Sequence, residues 1–370
     1  MSDRFHITLA DPRVSDAVRA ERMKDLSFGK AFSEHMVVIP YSEGVWGKGE
    51  LKPYGPLALD PAANVLHYGQ AIFEGFKAYR QADGSIRSFR PEANARRFNQ
   101  SAARLAMPQL PEALFIEAAD LLLSVDHPWV PETLDAEGLK DQSYYFRPFM
   151  IGTGHELGVK AADEYLFILI GGPAGPYFKE GIKPVTIWVE EDYVRAVRGG
   201  TGSAKCAGNY AASLLPGSEA KAKGCSQVLY LDAQERTYLE ELGGMNVFLI
   251  FEENGKAVVH TPEKTGTILE GITRESLLTL AQEELGFEVR ERRIALADIK
   301  AGIDNGTLKE AFACGTAAVV SPIGTLRTST GDWVINGGQV GERCMKIRAA
   351  LLDIQYGRVA DKRGWTHKVR

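Results

Sequence analysis

Three short stretches of the 370-residue sequence place residue types together that could do chemistry. In Gly199-Gly200-Thr201-Gly202-Ser203-Ala204-Lys205-Cys206 a lysine ends a run of small residues. A P-loop needs Gly-Lys-Ser/Thr opening a helix, and Ala204-Lys205-Cys206 does not supply it. Small neighbours leave room beside the amine for a bulky planar group, and an apolar pocket lowers an ammonium's pKa enough to make it a Schiff-base nucleophile. The second stretch, Glu240-Glu241-Leu242-Gly243-Gly244-Met245-Asn246-Val247-Phe248, sets a carboxylate beside a glycine pair and ahead of an apolar strand. It reads as an acidic turn or as a buried carboxylate that keeps a heterocyclic nitrogen protonated. The third, Leu269-Glu270-Gly271-Ile272-Thr273-Arg274, opens a helix whose first N–H groups and dipole favour a phosphate, although most helix starts bind only water. An amine for an aldehyde, an acid for a ring nitrogen and a cradle for a phosphate are together the needs of pyridoxal phosphate.

These stretches need a scaffold, and the chain is long enough to build one of about two domains. With 43 Lys+Arg against 48 Asp+Glu, and 45% hydrophobic and 25% charged residues, it is ordinary globular composition. The net charge of −5, without a basic stripe, argues against nucleic acid. Apolar runs such as Leu166 to Ile170 and Val247 to Phe251 fall far short of the roughly 18 residues that span a bilayer. The opening residues carry charges throughout and lack a signal peptide's apolar region. Cys206, Cys225, Cys314 and Cys344 are far apart, with no metal-ligand spacing, which fits a reducing cytoplasm and no metal.

Strand-like and helix-like runs alternate in both halves, giving mixed α and β. Strands are expected over 36–40, 86–89, 144–151 and 165–170, with helices near 91–106 and 111–124. Pro91 suits a first helical position. The first helix carries Ala95, Phe98, Ala102 and Leu105 on one stripe, with Arg97, Ser101 and Arg104 beside it. The run Gly171-Gly172-Pro173-Ala174-Gly175-Pro176 is the densest Gly/Pro stretch and marks a boundary. The expected division is therefore a smaller N-terminal domain over 1–173, a connecting loop over 174–184, and a larger domain over 185–370 carrying most of the site. In the second half strands are expected at 185–190, 226–232, 236–240 and 246–252. Helices are expected near 209–223, near 272–285 with Leu277, Leu278, Ala281 and Leu285 buried, and near 340–354 as the closing element.

The residues resemble the class IV pyridoxal-phosphate aminotransferases, and within them the branched-chain amino acid aminotransferases. The signature runs through Glu241, Gly243, Asn246, Val247, Phe248, Val259, Thr261, Leu269, Gly271, Ile272 and Arg274. Flanking stretches share the likeness: Lys52-Pro53-Tyr54, Leu66-His67-Tyr68-Gly69, Phe73-Glu74-Gly75-Phe76-Lys77-Ala78 and Tyr144-Tyr145-Phe146-Arg147-Pro148. The resemblance spans roughly residues 30 to 350 and implies an α+β, two-domain fold of type IV with the active site between the domains.

What the resemblance implies for single residues is specific. Lys205 would form the internal aldimine and act as the base, Tyr210 would hydrogen-bond the ring hydroxyl oxygen, Glu241 would pair with the pyridine nitrogen, and Leu269 would pack on the ring. The phosphate would be held by Arg97, the backbone N–H groups of Ile272 and Thr273, and Thr316. Thr316 and Ala317 would offer N–H groups to the substrate α-carboxylate, and Phe73, Tyr145 and Tyr177 would wall its side chain. Tyr68 and Arg147 match positions that the family supplies from the partner subunit, which implies a homodimer. The implied reaction moves the amino group of leucine, isoleucine or valine to 2-oxoglutarate, giving glutamate, by a ping-pong route through pyridoxamine phosphate. The animal members carry a C-x-x-C pair where this chain has Ala318 and Ser321, so thiol switching there is not expected. D-amino acid aminotransferases and aminodeoxychorismate lyases share the signature, and Tyr145-Phe146-Arg147-Pro148 favours the branched-chain group. A non-catalytic phosphate-ligand protein is set against the presence of Lys205, Tyr210 and Glu241, and a Rossmann dehydrogenase lacks its strand-turn-helix unit.

Overall fold

The structure is a computed structural model and describes residues 3–135, 138–139, 141–177 and 181–369. The chain divides into two compact units. One holds residues up to 177 together with 204–207 and 354–370, and the other holds the rest. No helix among the described residues is long and apolar enough to cross a membrane.

The first unit is built on a ten-stranded sheet. Its path runs Phe5–Ile7, Gly49–Pro53, His35–Ser42, Tyr165–Ala174, Ser143–Gly152, Phe76–Arg80, Ile86–Phe89, Thr366–Lys368. In Ser143–Gly152 the side chains of Tyr144, Phe146, Pro148 and Met150 are buried. Successive strand residues face opposite ways, so Tyr145 and Arg147 share the other face. The helices Pro91–Arg104 and Glu112–Asp126 carry Phe98 and Phe115 into the core beside Phe167, with ring centroids 5.6 Å and 6.0 Å from it. Phe76 stacks on Phe146 at 4.5 Å. Each such fully buried ring contributes about 1.5–3 kcal/mol. Ala95, Phe98 and Ala102 form the buried stripe as expected, while Leu105 is the C-cap and only half-buried.

The second unit has a nine-stranded sheet whose path runs Leu239–Leu242, Gln227–Leu231, Val185–Glu190, Val319–Thr328, Leu308–Gly315, Asn246–Glu253, Lys256–Pro262, Glu288–Arg292. Val247 to Phe251 are all buried, as a central strand covered on both faces requires.

Several expectations shift. Strand Tyr165 continues through Ala174, so Gly171 and Gly172 lie inside the sheet. A Cβ on Gly171 would sit 2.5 Å from the Tyr144 ring, and one on Gly172 would sit 2.2 Å from the Ala31 carbonyl oxygen. These glycines permit close packing; they do not loosen a hinge. The helix expected over 209–223 is two pieces, Ala207–Ala211 and Leu214–Ala222. Pro216 accounts for the break, because its ring would collide with the carbonyl four residues back. In Ile272–Glu283 the buried leucines are Leu277 and Leu280, with Leu278 and Leu285 only half-buried. Helix Glu342–Gln355 does not close the chain: strand Thr366–Lys368 follows and pairs with Ile86–Phe89.

Candidate functional site

In the first unit the short segment carrying Lys205 is tied to the sheet by its backbone. Phe73 N–H donates to the Lys205 carbonyl at 3.0 Å, Ile72 bridges Cys206, and Lys205 N–H donates to Ser101 Oγ at 2.9 Å. The side chain is thereby aimed over Phe73, with Nζ 4.6 Å from the ring centroid. Its pKa falls from the ordinary 10.5 to about 8, chiefly through desolvation and then through the positive charge of Arg97, with Glu74 opposing. Such an amine is neutral in an appreciable fraction near physiological pH, the condition for nucleophilic attack.

Arg97 leaves the helix Pro91–Arg104 only 7% exposed and meets Glu74 in a two-pronged pair, Nε to Oε1 at 2.6 Å and Nη2 to Oε2 at 2.8 Å. Glu74 is wholly buried and also accepts the Gly75 N–H at 3.0 Å. Arg147 lies over Phe73 and Tyr145, 5.0 Å and 5.5 Å from the ring centroids, and donates to the Tyr145 hydroxyl at 3.2 Å. Its Nε is buried without a hydrogen-bond partner. A Cβ on Gly75 would overlap the Tyr145 hydroxyl at 1.8 Å, so only glycine lets that ring lie where it does. Lys205, Arg97, Phe73, Tyr145 and Arg147 thus form one group in this unit. Tyr68 and Tyr177 are exposed, at 39% and 42%, and the Tyr68 hydroxyl donates to the Leu157 carbonyl.

In the second unit Glu241 is 3% exposed on strand Leu239–Leu242. Arg195 Nη1 lies 2.8 Å from its Oε1, Leu269 N–H donates to Oε1 at 2.9 Å, and Asn246 Nδ2 donates to Oε2 at 2.7 Å. Donors of this kind favour the ionised carboxylate. Asn246 also donates to the Leu269 carbonyl at 3.0 Å, and its Oδ1 would be only 2.1 Å from a Cβ on Gly271. One amide side chain therefore ties together the Glu241 strand, the Leu269 loop and the start of helix Ile272–Glu283. Gly271 is that helix's N-cap and brings no side chain to its first N–H groups. Ile272 and Thr273 are buried there at 8% and 9% exposure.

Thr316 and Ala317 lie in the three-residue turn between strands Leu308–Gly315 and Val319–Thr328. Asn246 pairs with Cys314 across the sheet, which brings this turn beside the Glu241 strand end. Val319 closes the turn at φ 61°, a strained conformation for a β-branched residue of the kind found at binding loops. Tyr210 is half-buried in the short helix Ala207–Ala211. Tyr210, Glu241, Leu269, Ile272, Thr273, Thr316 and Ala317 belong to the second unit. Glu74, Ser101, Arg195 and Asn246 hold the site residues in place, yet the sequence reading assigned none of them a role. Asn246 stood in the signature, whereas Arg195 carried no local signal.

Comparison with known proteins identifies the family. The sequence profile of the family described as amino-transferase class IV matches residues 71–326. A probable branched-chain-amino-acid aminotransferase of Streptomyces coelicolor is 54% identical over 96% of this chain and 95% of its own length. Among solved structures, the branched-chain amino acid aminotransferase of Thermobaculum terrenum in its PLP-bound form superposes with a TM-score of 0.72 at 25% identity, over 92% of this chain and all of that one. That of Escherichia coli gives 0.71 at 26% identity, over 91% and 100%. A third such enzyme, complexed with N-(5′-phosphopyridoxyl)-L-glutamate, gives 0.68 at 26% identity, over 90% and 98%. The chain belongs to the class IV aminotransferases, and within that family to the branched-chain-amino-acid aminotransferases.

Proposed function

We propose that this chain is a pyridoxal-5′-phosphate-dependent transaminase that moves the amino group of L-leucine, L-isoleucine or L-valine reversibly to 2-oxoglutarate, giving the branched 2-oxo acid and L-glutamate. The observation that carries the reading is the Lys205 amine, pKa about 8, held over Phe73 beside Arg97. The residues fit the cofactor: an amine of lowered pKa for its aldehyde, a helix start without a capping side chain for its phosphate, and a donor-fixed Glu241 for its ring nitrogen. Bound there, pyridoxal phosphate supplies the electron sink for charge that develops at the substrate Cα.

The protein's own share is positioning and proton transfer. Lys205 would anchor the cofactor through its amine, and the same amine, when free, would serve as the base that takes the proton from the substrate Cα. Glu241 keeps the ring nitrogen protonated, Tyr210 donates to the ring hydroxyl oxygen, and Leu269 covers the ring. Arg97, Thr316 and the N–H groups of Ile272 and Thr273 hold the phosphate. Thr316 and Ala317 offer N–H groups to the α-carboxylate, while Phe73, Tyr145 and Tyr177 wall the alkyl chain. The buried, unsatisfied Nε of Arg147 supports its pairing with the distal carboxylate of 2-oxoglutarate in the second half-reaction. The relatives that carry phosphopyridoxyl-glutamate and PLP support the same pair of half-reactions. A homodimer in which Tyr68 serves the neighbouring site completes the proposal, whereas Arg147, expected from the partner, lies over the same Phe73 ring as Lys205 and serves the site of its own subunit. The four cysteines are free and buried, in keeping with a cytoplasmic enzyme.

The test is visible absorption of the protein loaded with pyridoxal phosphate. L-leucine should bleach the aldehyde-form band and 2-oxoglutarate should restore it, while Lys205→Ala should retain bound cofactor and lose turnover. A band indifferent to leucine but responsive to D-alanine overturns the substrate, and near-normal turnover in Lys205→Ala overturns the mechanism.

A further inference from the structure

Strand Leu239–Leu242 turns Glu241 to one face and Glu240 to the other, and Glu240 lines a cavity of about 350 Å³ wholly within the second unit. That size is typical of small-molecule sites. Leu239, Pro262 and Ile268 give it apolar walls, and Thr267 meets the Glu240 carboxyl by a side-chain hydrogen bond. Glu240 is 6% exposed, and its Oε2 has no hydrogen-bond partner. A buried carboxylate oxygen in that state is costly unless a donor or a cation reaches it.

The other charges on the wall are committed or solvated. Asp232 accepts the backbone N–H groups of Glu235, Thr237 and Tyr238. Glu235 is paired with Arg293 at 2.7 Å, and that guanidinium lies over the Tyr238 ring at 3.5 Å. Arg198 is exposed and Glu263 half-buried. Arg195 acts on Glu240 as a nearby charge, but its N–H groups go to Glu241 and to the carbonyls of Gly202 and Thr267, so what the cavity leaves unmet is a cationic donor at Glu240 Oε2, next to apolar surface.

We propose that this cavity is a second small-molecule site, separate from the Lys205 and Glu241 groups, and that it takes a compound bearing a protonated amine on a compact apolar body. Burial raises the Glu240 carboxyl above its ordinary pKa, and a bound cation would reverse that cost. The inference does not depend on the aminotransferase reading, because neither the cavity nor Glu240 takes part in it.

The probe is piperidine, a ring that is cationic at neutral pH and, as a secondary amine, does not form the imine that a primary amine forms with an aldehyde. Tetrahydropyran is the same ring without the charge. Ligand-observed NMR titrations on the full-length, cofactor-loaded protein should show saturable binding of piperidinium and none of tetrahydropyran. Glu240→Gln, which keeps the shape and removes the charge, should weaken piperidinium by about tenfold or more, the worth of a charge-assisted hydrogen bond. Equal binding of the two rings, or no binding of either, overturns the proposal and leaves the cavity to water. Affinity in a folded Glu240→Gln within about twofold of the parent also overturns it, since a lost charge-assisted bond costs more than that. Should that variant not fold, the comparison of the two rings on the parent protein decides.

Discussion

Lys205 is held in a balance of charges, and the balance has a sign. Arg97 pushes its pKa down while Glu74 pulls it up, on top of a larger downward push from desolvation. Only the neutral amine adds to an aldehyde. Uptake of pyridoxal phosphate by cofactor-free protein should therefore slow about tenfold per pH unit below the amine's pKa and level off above it, as the neutral fraction dictates. The bend should lie near 8, well below the ordinary 10.5, and a rate still climbing above pH 9.5 would show that the amine is not perturbed. Glu74→Gln removes the carboxylate but not the guanidinium, so the bend should move lower still. The same change breaks a buried pair whose side chains are 0% and 8% exposed, at a cost of about 3–5 kcal/mol readable by urea denaturation. At this scale Lys205, Glu241 and the helix start at Gly271 were legible because their neighbours in sequence are also their chemical context. Arg97 read equally well as a surface charge until a family likeness singled it out. Glu74 and Arg195 acquire their roles only when distant segments meet, and a local pattern holds no trace of that.

Among the elements, those with a strong period were read within a residue or two: Ile86–Phe89 and Val185–Glu190 fall where the apolar pattern puts them. The edge elements without such a pattern, Phe5–Ile7, Glu288–Arg292 and Thr366–Lys368, were not anticipated. Gly171 and Gly172 mislead for a physical reason, since the residue that frees a loop is also the one that lets two backbones touch. Gly172→Ala is the discriminating substitution. Its Cβ would meet backbone atoms of Ala31 and Phe32, which cannot rotate away. A loss of about 1–3 kcal/mol in urea unfolding is expected, and a neutral result would mean that Gly172 is not packed against that backbone.

The whole molecule is not divided at a single point along the chain, because the first unit takes back residues 204–207 and 354–370 after the second has been traversed. A three-residue strand such as Thr366–Lys368 is too short to show a period, and nothing in its composition announces its partner. Tyr356 helps fix this return: its hydroxyl donates to the Gln142 carbonyl at 2.9 Å and its ring lies 4.8 Å from Tyr79. Deleting residues 356–370 should speed amide hydrogen exchange in Ile86–Phe89 and leave Asn246–Glu253 protected. Equal loosening of both strands would mean that the units do not hold their stability separately. The pairing of Thr366–Lys368 with Ile86–Phe89 also sets a timetable for synthesis. On the ribosome the strand over 86–89 emerges early and its edge partner among the last, so that edge stays open while the entire second unit is translated. At about 5–20 residues per second that wait is roughly 14–55 seconds. An open strand edge is a template for wrong pairing, so in the cell the nascent first unit, more than the finished enzyme, is where a chaperone has work to do.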